Sequence, residues 1–202
     1  MNRLLNKISE AAELILKAQR SKVLIVSHYD ADGLAAASIL TATFREAGCY
    51  THVMIVEQLT ARVIEEVHRL SSNYYLTIIA DMGSNAPNDA QELEDLIVLD
   101  HHIPGDKSLG FEVNPHRLGI DGSREISAAG LAYLLARSII GEKAIQLAPL
   151  AIVGALGDRQ DAGRRFRLVG VNRVIVKEAI KYNLIRETIG LRIAGGLNRP
   201  LV

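Results

Sequence analysis

The chain has 202 residues, of which 49% are hydrophobic and 23% charged, so it suits one packed globular domain or one domain with a short appendage. Its 23 Lys and Arg balance its 23 Asp and Glu, which excludes a global positive field that would attract nucleic acid. A polyanion must therefore bind through a local patch or through metal ions. The single cysteine, Cys49, excludes an intrachain disulfide framework and a cysteine-rich zinc site, and favours a reducing cytoplasm.

The predicted elements of the first half alternate between short apolar strands and longer helices. Residues 1–19 have the charged, amphipathic pattern of a helix rather than that of a signal peptide. No stretch approaches about 18 uncharged apolar residues, so we expect no membrane span. Strands are predicted at 23–26, 53–56, 76–80 and 96–99, and helices at 34–47 and 61–70. Continuous apolar strands separated by helices predict an α/β fold, in which a parallel sheet is flanked by helices on both faces.

The second half of the chain has a different pattern. Residues 103–123 contain two Pro and four Gly and are predicted to be mainly loop. Helices are predicted at 127–140, 143–156 and 171–182, which makes the C-terminal portion helical. Residues 191–202 have the composition of a linker. We therefore expect a domain over residues 1–190 and, at 191–202, the start of a linker to a second domain that the sequence lacks.

Acidic residues and histidines follow three of the predicted strands. The first strand ends in His-Tyr-Asp-Ala-Asp-Gly at 28–33, the third in Asp81, and the fourth in Asp100-His101-His102. Because the carboxyl ends of parallel strands meet at the edge where ligands bind, we expect these side chains to converge. Up to four carboxylates in close contact raise one another's pKa or need counter-ions, which divalent cations supply. The sequence therefore predicts a metal site at this edge.

The ligand types indicate which metal the site would bind. Carboxylates suit Mg²⁺, Ca²⁺ and Mn²⁺, whereas imidazole shifts the preference away from Mg²⁺ and Ca²⁺. Two ions about 3.5–4 Å apart can share a carboxylate and activate a water for attack on phosphorus. We predict two Mn²⁺ ions, with Mg²⁺ as a substitute. Each motif alone has an ordinary alternative: Asp32 also fits a helix N-cap, Asp81 a strand-end turn, and a His-His pair a solvated loop.

A fourth acidic cluster, Gly-Asp-Arg-Gln-Asp at 157–161, lies at the end of an apolar helix. In a helix, Asp158 and Asp161 would share a face, although a charged helix terminus explains the pattern equally. The next residues include Arg164 and Arg165 and form the densest basic patch of the sequence. This patch predicts either a phosphate-binding site or a solvated loop.

Together these motifs resemble those of the DHH family of phosphoesterases. The segments Asn114-Pro115-His116, Ser-Ala-Ala-Gly at 127–130 and Leu-Val-Gly-Val-Asn-Arg at 168–173 resemble the RecJ branch, particularly archaeal RecJ-like nucleases associated with the GINS replication complex. The resemblance covers residues 22–190, which would make residues 1–190 a DHH catalytic domain. It implies a cytoplasmic, manganese-dependent exonuclease that hydrolyses single-stranded DNA or RNA in replication or repair. The implied partners are single-stranded nucleic acid and GINS, and no membrane.

The resemblance also implies roles for individual residues. Asp81 would bridge the two ions, and the other metal ligands would be His28, Asp30, Asp32, His101 and an aspartate of the fourth motif. The family spacing of a glycine plus four residues favours Asp161 for that aspartate, with Asp158 as the alternative. His102 would contact the scissile phosphate, and Asp100 would orient a neighbouring histidine.

Further residues would bind the substrate. These are Asn114, His116, Ser127 with the backbone amides of 127–130, and the two basic residues Arg164 and Arg165. Most DHH enzymes also carry a second domain, often marked by Gly-Gly-Gly-His, and Gly195-Gly196 followed by Leu-Asn is not that motif. With a near-zero net charge and few aromatic residues, we expect the chain alone to handle long single strands poorly.

Two other functions fit the same sequence. One is a small-molecule phosphatase that acts on pyrophosphate, pAp, a cyclic dinucleotide or a short oligonucleotide, because such an enzyme would share the metal site. The other is a non-catalytic replication scaffold bound to GINS, like the eukaryotic helicase subunit related to this family. That relative has lost metal ligands, whereas this sequence keeps the complete set.

Overall fold

The structure is a computed structural model that describes residues 1–17, 21–85, 95–107 and 110–188. Within these ranges, five strands form one sheet: β1 (Lys22–His28), β2 (Tyr50–Val56), β3 (Leu76–Ala80), β4 (Leu96–Leu99) and β5 (Phe111–Val113). The α-helices are α1 (Asn2–Leu16), α2 (Ala31–Glu46), α3 (Ala61–Ser71), α4 (Ala128–Ile140), α5 (Ala148–Gly157) and α6 (Gly170–Lys181). Two 3₁₀ segments, His116–Leu118 and Gly141–Leu147, connect them.

The sheet is parallel throughout, with the strand order β2-β1-β3-β4-β5. The chain passes from β1 outward to β2 and then returns to place β3 on the other side of β1. The direction of winding therefore reverses between β1 and β3. In a sheet of this kind, ligands bind in the crevice outside the carboxyl ends of the strands at that reversal.

Helices cover both faces of the sheet, and successive residues of β1 face opposite cores. Val23 and Ile25 belong to a large core that includes α1, α2 and α4. Leu24 and Val26 belong to a smaller core formed with α3. Burial on both faces explains why the strands are continuous apolar runs, and it confirms the predicted α/β fold with its helical C-terminal portion.

Two predictions of local structure differ in detail from the observed elements. The predicted loop at 103–123 contains β5, a strand of three residues that the apolar pattern was too short to reveal, and the 3₁₀ segment that follows it. The predicted helix at 143–156 is divided, because α5 begins only at Ala148, with Pro149 in its first turn. Proline lacks the N–H that a continuous helix needs but fits a helix start. The predicted linker at 191–202 lies outside the described residues.

One helical stretch, residues 128–157, is long and apolar enough by length and composition to cross a membrane. The 3₁₀ segment Gly141–Leu147 interrupts it, and most of α4 is buried against α1, α2 and α5. The core helix of a domain meets the same criteria, so one such stretch is only weak evidence for a membrane span.

Candidate metal centre

The turn between β1 and α2 places two predicted ligands side by side. β1 ends at His28, and Asp30 is the N-cap of α2, where its carboxylate accepts the Gly33 N–H at 2.9 Å. The cap is therefore Asp30, not Asp32. A Cβ atom at Gly33 would lie 2.4 Å from the His28 carbonyl oxygen, so only glycine allows this turn. The Nδ1 atom of His28 lies 3.0 Å from Asp30 Oδ2.

Asp32 is fully buried and holds the start of α4. Its Oδ2 accepts the Ala128 N–H at 2.7 Å and its Oδ1 accepts the Ala129 N–H at 3.0 Å. The Gly130 N–H is bound by the Ser127 hydroxyl at 3.2 Å, and Ser127 is itself buried. Three of the amides predicted to bind phosphate are thus already hydrogen-bonded within the fold, and phosphate binding by Ser127 stays a prediction.

Asp81 lies at the centre of the site, immediately after β3. Its backbone φ is +62°, a left-handed conformation that a residue other than glycine adopts only under strain, and such strain is concentrated at functional sites. Its side chain is buried and faces two histidines. The Oδ2 atom lies 3.5 Å from His28 Nδ1, and the Oδ1 atom lies 3.3 Å from His101 Nε2. The two oxygens of this one carboxylate thus face different histidines, His28 and His101.

His101 is held by its ring nitrogen that points away from the cluster. Its Nδ1 lies 2.8 Å from the Gly122 carbonyl oxygen, which can only accept, so we assign the proton to Nδ1. The other ring nitrogen, Nε2, lies 2.8 Å from Asp158 Oδ2 and 3.7 Å from Asp32 Oδ2. In protein metal sites, a hydrogen bond such as that from Nδ1 to the Gly122 carbonyl orients the imidazole ligand.

The fourth-motif aspartate that reaches the cluster is Asp158. The predicted preference for Asp161 is not reflected in the geometry, since Asp161 belongs to none of the three groups of candidate ligands. The family spacing counted from Gly154, rather than from Gly157, leads to Asp158. A Cβ atom at Gly154 would lie 2.2 Å from Asp32 Oδ1, so close packing of α5 on the site explains why this glycine marks the motif.

The candidate ligands form overlapping groups, within each of which one donor atom per residue lies within 4.8 Å of the others. Asp81 belongs to every group. The two that divide the site are His28, Asp30 and Asp81, and Asp32, Asp81, His101 and Asp158. The third group joins Asp81 and His101 to His102.

Buried atoms without hydrogen bonds show that this side-chain set fits divalent cations. In the described part of the chain, His28 Nδ1, both carboxylate oxygens of Asp81 and His101 Nε2 are buried and make no hydrogen bond. Such atoms cost free energy unless a ligand satisfies them. Neighbouring ligands of an octahedral ion lie about 3 Å apart, because each bond is about 2.1 Å. The observed separations between these groups, 2.8–3.7 Å, match that spacing.

The pKa values reflect the crowding of the cluster. Burial raises the pKa of Asp81 to about 8, reinforced by the charges of Asp32 and Asp30 and opposed by His101. Burial also raises the pKa of Asp32. Burial alone would lower the pKa of His101, but Asp158, Asp81 and Asp32 outweigh it and raise the pKa to about 11. Protons thus occupy the positions where cations would neutralise the carboxylates, and metal binding would release them.

His102 lies beside the cluster with its side chain 55% exposed. Its Nδ1 lies 2.7 Å from Asp100 Oδ1, which also accepts the His102 backbone N–H at 3.1 Å. The hydrogen bond to Asp100 raises the pKa of His102. Burial alone would raise the pKa of Asp100, but its bonds to His102 and to the Ser84 N–H lower it to about 2. Asp100 therefore orients His102 and favours its cationic form.

Asn114 supports the loop that carries the histidines and is 1% exposed. Its Nδ2 donates to Ser84 Oγ at 2.7 Å and to the His102 carbonyl at 2.9 Å, and its Oδ1 accepts the His116 N–H at 2.9 Å. Ser84 in turn donates to Glu112 at 2.9 Å. The amide of Asn114 therefore braces this loop through both of its ends, and its predicted contact with phosphate stays a prediction. The buried Nε2 of His116 makes no hydrogen bond to any described residue.

An open cleft of about 430 Å³ lies against the cluster. Besides predicted site residues, its lining includes Glu57, Gln58, Met82 and Asn85, which the sequence reasoning missed. Glu57 and Gln58 directly follow β2, so the strand-end rule that found the metal ligands would also have found them. Arg164 and Arg165 do not line this cleft and instead contribute to a separate groove.

A parallel sheet flanked by helices, with carboxylate and imidazole ligands where its direction of winding reverses, defines a metal-dependent hydrolase domain. Comparison with known families agrees, since residues 22–155 match the DHH family, N-terminal domain. The chain belongs to the DHH family, whose members include metal-dependent phosphoesterases, and it is RecJ-like.

Two curated relatives illustrate the similarity. An uncharacterized protein of Methanocaldococcus jannaschii is 35% identical over 197 residues, covering 91% of this chain and 44% of the relative. The single-stranded-DNA-specific exonuclease RecJ of Bacillus subtilis is 27% identical, over 95% of this chain and 28% of the relative. The chain thus spans less than half the length of either relative.

Solved structures agree with these relatives. RecJ from Thermus thermophilus in complex with Mn²⁺ has a TM-score of 0.68 at 28% identity, covering 87% of this chain and 26% of that one. The same protein in complex with Mg²⁺ has a TM-score of 0.57 at 26% identity, covering 87% of this chain and 23% of that one. These two structures contain RecJ with either ion, and this chain shares part of their fold.

Proposed function

We propose that this chain is a manganese-dependent phosphodiesterase of the RecJ type that removes nucleotides from the ends of single-stranded DNA or RNA. The observation that carries the proposal is the set of buried nitrogen and oxygen atoms without hydrogen bonds at the sheet reversal. The similarity to RecJ bound to Mn²⁺ supports this metal, with Mg²⁺ as a substitute.

The proposed ligands divide between two ions that share Asp81. His28 and Asp30 would complete one ligand set, and the second would consist of Asp32, His101 and Asp158. Divalent ions bound there supply Lewis-acid stabilisation of the phosphate charge and an activated water. The strained backbone of Asp81 keeps its two oxygens directed at both sets.

His102 is the proposed catalytic side chain that contacts the phosphate. Its exposed ring borders the cleft, and Asp100 fixes the ring through Nδ1 so that the opposite nitrogen can face a substrate. As a cation, the ring can donate a hydrogen bond to a phosphate oxygen or a proton to a leaving oxygen. His116, behind the same loop, stays a candidate for substrate contact.

The charges around the cleft suit the proposed phosphodiester better than they suit pyrophosphate or pAp. Its lining, as far as the structure describes it, includes Glu57 and contains neither Lys nor Arg. A phosphodiester carries one negative charge per phosphate, whereas pyrophosphate and pAp carry several that cationic side chains would normally hold. The cleft therefore favours a phosphodiester over pyrophosphate and pAp, the multiply charged substrates of the small-molecule alternative.

An assay with end-labelled single strands tests the proposal. The full chain is incubated with a labelled 20-mer of DNA or RNA, with pyrophosphate and with pAp, in Mn²⁺, in Mg²⁺ and in EDTA. We expect metal-dependent release of nucleotides from the strands and little phosphate from the other two. Hydrolysis of pyrophosphate or pAp alone would favour the small-molecule phosphatase, and no hydrolysis in either metal would favour the scaffold.

The proposal includes a cellular setting that the resemblance implies. We propose a cytoplasmic protein that acts in replication or repair, as part of a longer polypeptide, with the GINS complex as a partner. Co-purification of GINS with the tagged full-length protein would support this setting, and its absence from such preparations under low-salt conditions would contradict it.

A further inference from the structure

A basic groove of about 560 Å³ lies between the loop after α5 and the helix α6. Five cationic side chains line it, one from each of Arg164, Arg165, Arg167, Arg173 and Lys177. This concentration is unusual in a chain whose acidic and basic residues balance. The groove shares no lining residue with the metal cleft, so it is a distinct surface feature.

The charge of the groove is only partly neutralised within the described residues. Glu187 contacts Arg173 at 2.9 and 3.1 Å and Arg167 at 3.3 Å. No described acidic group forms a measured ion pair with Arg164, Arg165 or Lys177. These three exposed cations are therefore available to anions from solution.

The loop that supplies the arginines has a fixed and unusual backbone. The Gly163 N–H donates to the Arg167 carbonyl at 2.9 Å, and the Phe166 N–H donates to the Gly163 carbonyl at 3.0 Å. Arg165 and Phe166 both have positive φ, which turns normally reserve for Gly or Asn. Strain of this kind is found at ligand clamps, where the side chains rather than the turn decide the residue types. Phe166 as a whole residue is 63% exposed.

We propose that this groove, from Arg164 to Lys177, binds the backbone of a single-stranded nucleic acid whose end lies at the metal centre. Arginines bind phosphates through paired hydrogen bonds, and an exposed aromatic ring provides a stacking surface for a base. The inference rests on the proposed function, to which it adds the path of the substrate away from the site.

The groove is near enough to act on the same strand. Gly163, at the edge of the groove, lies five positions after Asp158 in the metal cluster, and an extended chain over five positions spans at most about 18 Å. Net charge and aromatic content led us to expect that the chain alone handles long single strands poorly. The proposed groove changes that expectation, because it gives the chain its own site for holding a strand. We therefore expect a 20-mer to be a better substrate than a dinucleotide.

Binding in EDTA tests the groove independently of hydrolysis. The probe is a fluorescein-labelled single-stranded 20-mer, measured by anisotropy over a range of salt concentrations. The double variant Arg164→Ala/Arg165→Ala should weaken binding at least tenfold at low salt and reduce the slope of log K against log salt by about 1.4, from two lost phosphate contacts. The matched control Arg3→Ala/Arg45→Ala removes two exposed arginines on α1 and α2 and should change neither quantity.

A second variant separates stacking from charge. Phe166→Ala should weaken binding about tenfold and leave the salt slope unchanged. Melting temperatures would confirm that all variants fold, as expected for exposed side chains. The proposal is overturned if the arginine double variant binds like the parent and the control, or if the parent does not bind the 20-mer in EDTA. Should hydrolysis be absent while these effects appear, the proposed function fails and the groove does not.

Discussion

The metal cluster and the loops behind it both contain buried polar side chains, but they differ in whether those side chains are hydrogen-bonded. In the cluster, Asp81 and His101 are buried with atoms that make no hydrogen bond to any described residue. Behind it, Asn114, Ser84 and Gln160 are equally buried, yet their side chains have hydrogen-bond partners at 2.6–3.4 Å. The difference distinguishes groups that await a ligand from groups that hold others in place.

We call the hydrogen-bonded side chains of Asn114, Ser84 and Gln160 the supporting set, and Gln160 is its clearest member. Its Nε2 donates to the Gly122 carbonyl at 2.9 Å, the same oxygen that fixes His101, and its Oε1 accepts from Asn172 at 2.6 Å. A change in the cluster should therefore affect metal and activity first, whereas a change behind it should act through geometry and stability.

The largest effect is expected for Asp81→Ala. Loss of the shared carboxylate should lower hydrolysis by at least about 1,000-fold and abolish Mn²⁺ binding, because both ligand sets lose a member. In EDTA above about pH 8, where the Asp81 carboxyl loses its proton, the free energy of unfolding should rise, since a buried charge among other acids is removed. Turnover assays, calorimetric titration with Mn²⁺ and urea unfolding measure these effects. The control is Glu65→Ala, on the exposed surface of α3. Near-parental turnover of Asp81→Ala would refute the assignment of Asp81 as the shared ligand.

The next effect distinguishes two aspartates in one segment. Asp158→Asn should weaken Mn²⁺ binding by about 100-fold or more, because its carboxylate contacts His101 within the second ligand set. Asp161→Asn, three residues away, serves as the matched control and should change the affinity little. Titration of both variants with Mn²⁺ decides the question, and the reverse order of effects would restore Asp161 as the ligand.

Gln160→Glu tests whether the supporting set positions the cluster. The variant keeps the oxygen that Asn172 contacts but replaces a donor with an acceptor facing the carbonyls of Gly122 and Ile126. We expect Mn²⁺ affinity to fall by about 10–100-fold and stability by about 1–3 kcal/mol. The exposed Gln146→Glu is the control. A loss of stability with unchanged metal affinity would show that Gln160 has a structural role only.

The smallest effect is expected far from the cluster, for Tyr133→Phe. The Tyr133 hydroxyl donates to Glu178 at 2.6 Å, so its loss should lower the free energy of unfolding by about 1.5 kcal/mol at pH 7. Burial and this bond raise the pKa of Tyr133, so its contribution is complete below about pH 10 and is lost as the pH rises further. Urea unfolding at pH 7 and pH 11 should show the two proteins converging at the higher pH. An equal difference at both would contradict the argument.

The sequence predicted the layout of the site better than the roles within it. Apolar strands that alternate with helices were sufficient to predict the α/β fold. Asp and His at the strand ends were sufficient to predict the convergence of His28, Asp81 and His101, because parallel strands share one carboxyl edge. The roles of Ser127 and Asn114 were not predictable, since a polar residue that caps a helix or braces a loop has the same composition as one that binds phosphate. Local spacing also allowed two glycines for the fourth motif, and only packing against Asp32 distinguishes Gly154.

Asp32 has a consequence for the choice of an inactive variant. It lies in the first turn of α2 and also caps α4, so the positive ends of two helix macrodipoles meet at one buried carboxylate. Its removal would leave two amides at the start of a core helix unpaired as well as removing a metal ligand. Substitution of Asp32 would therefore confuse loss of catalysis with loss of folding, whereas Asp158, at the partly exposed end of α5, offers the cleaner route to a folded but inactive protein.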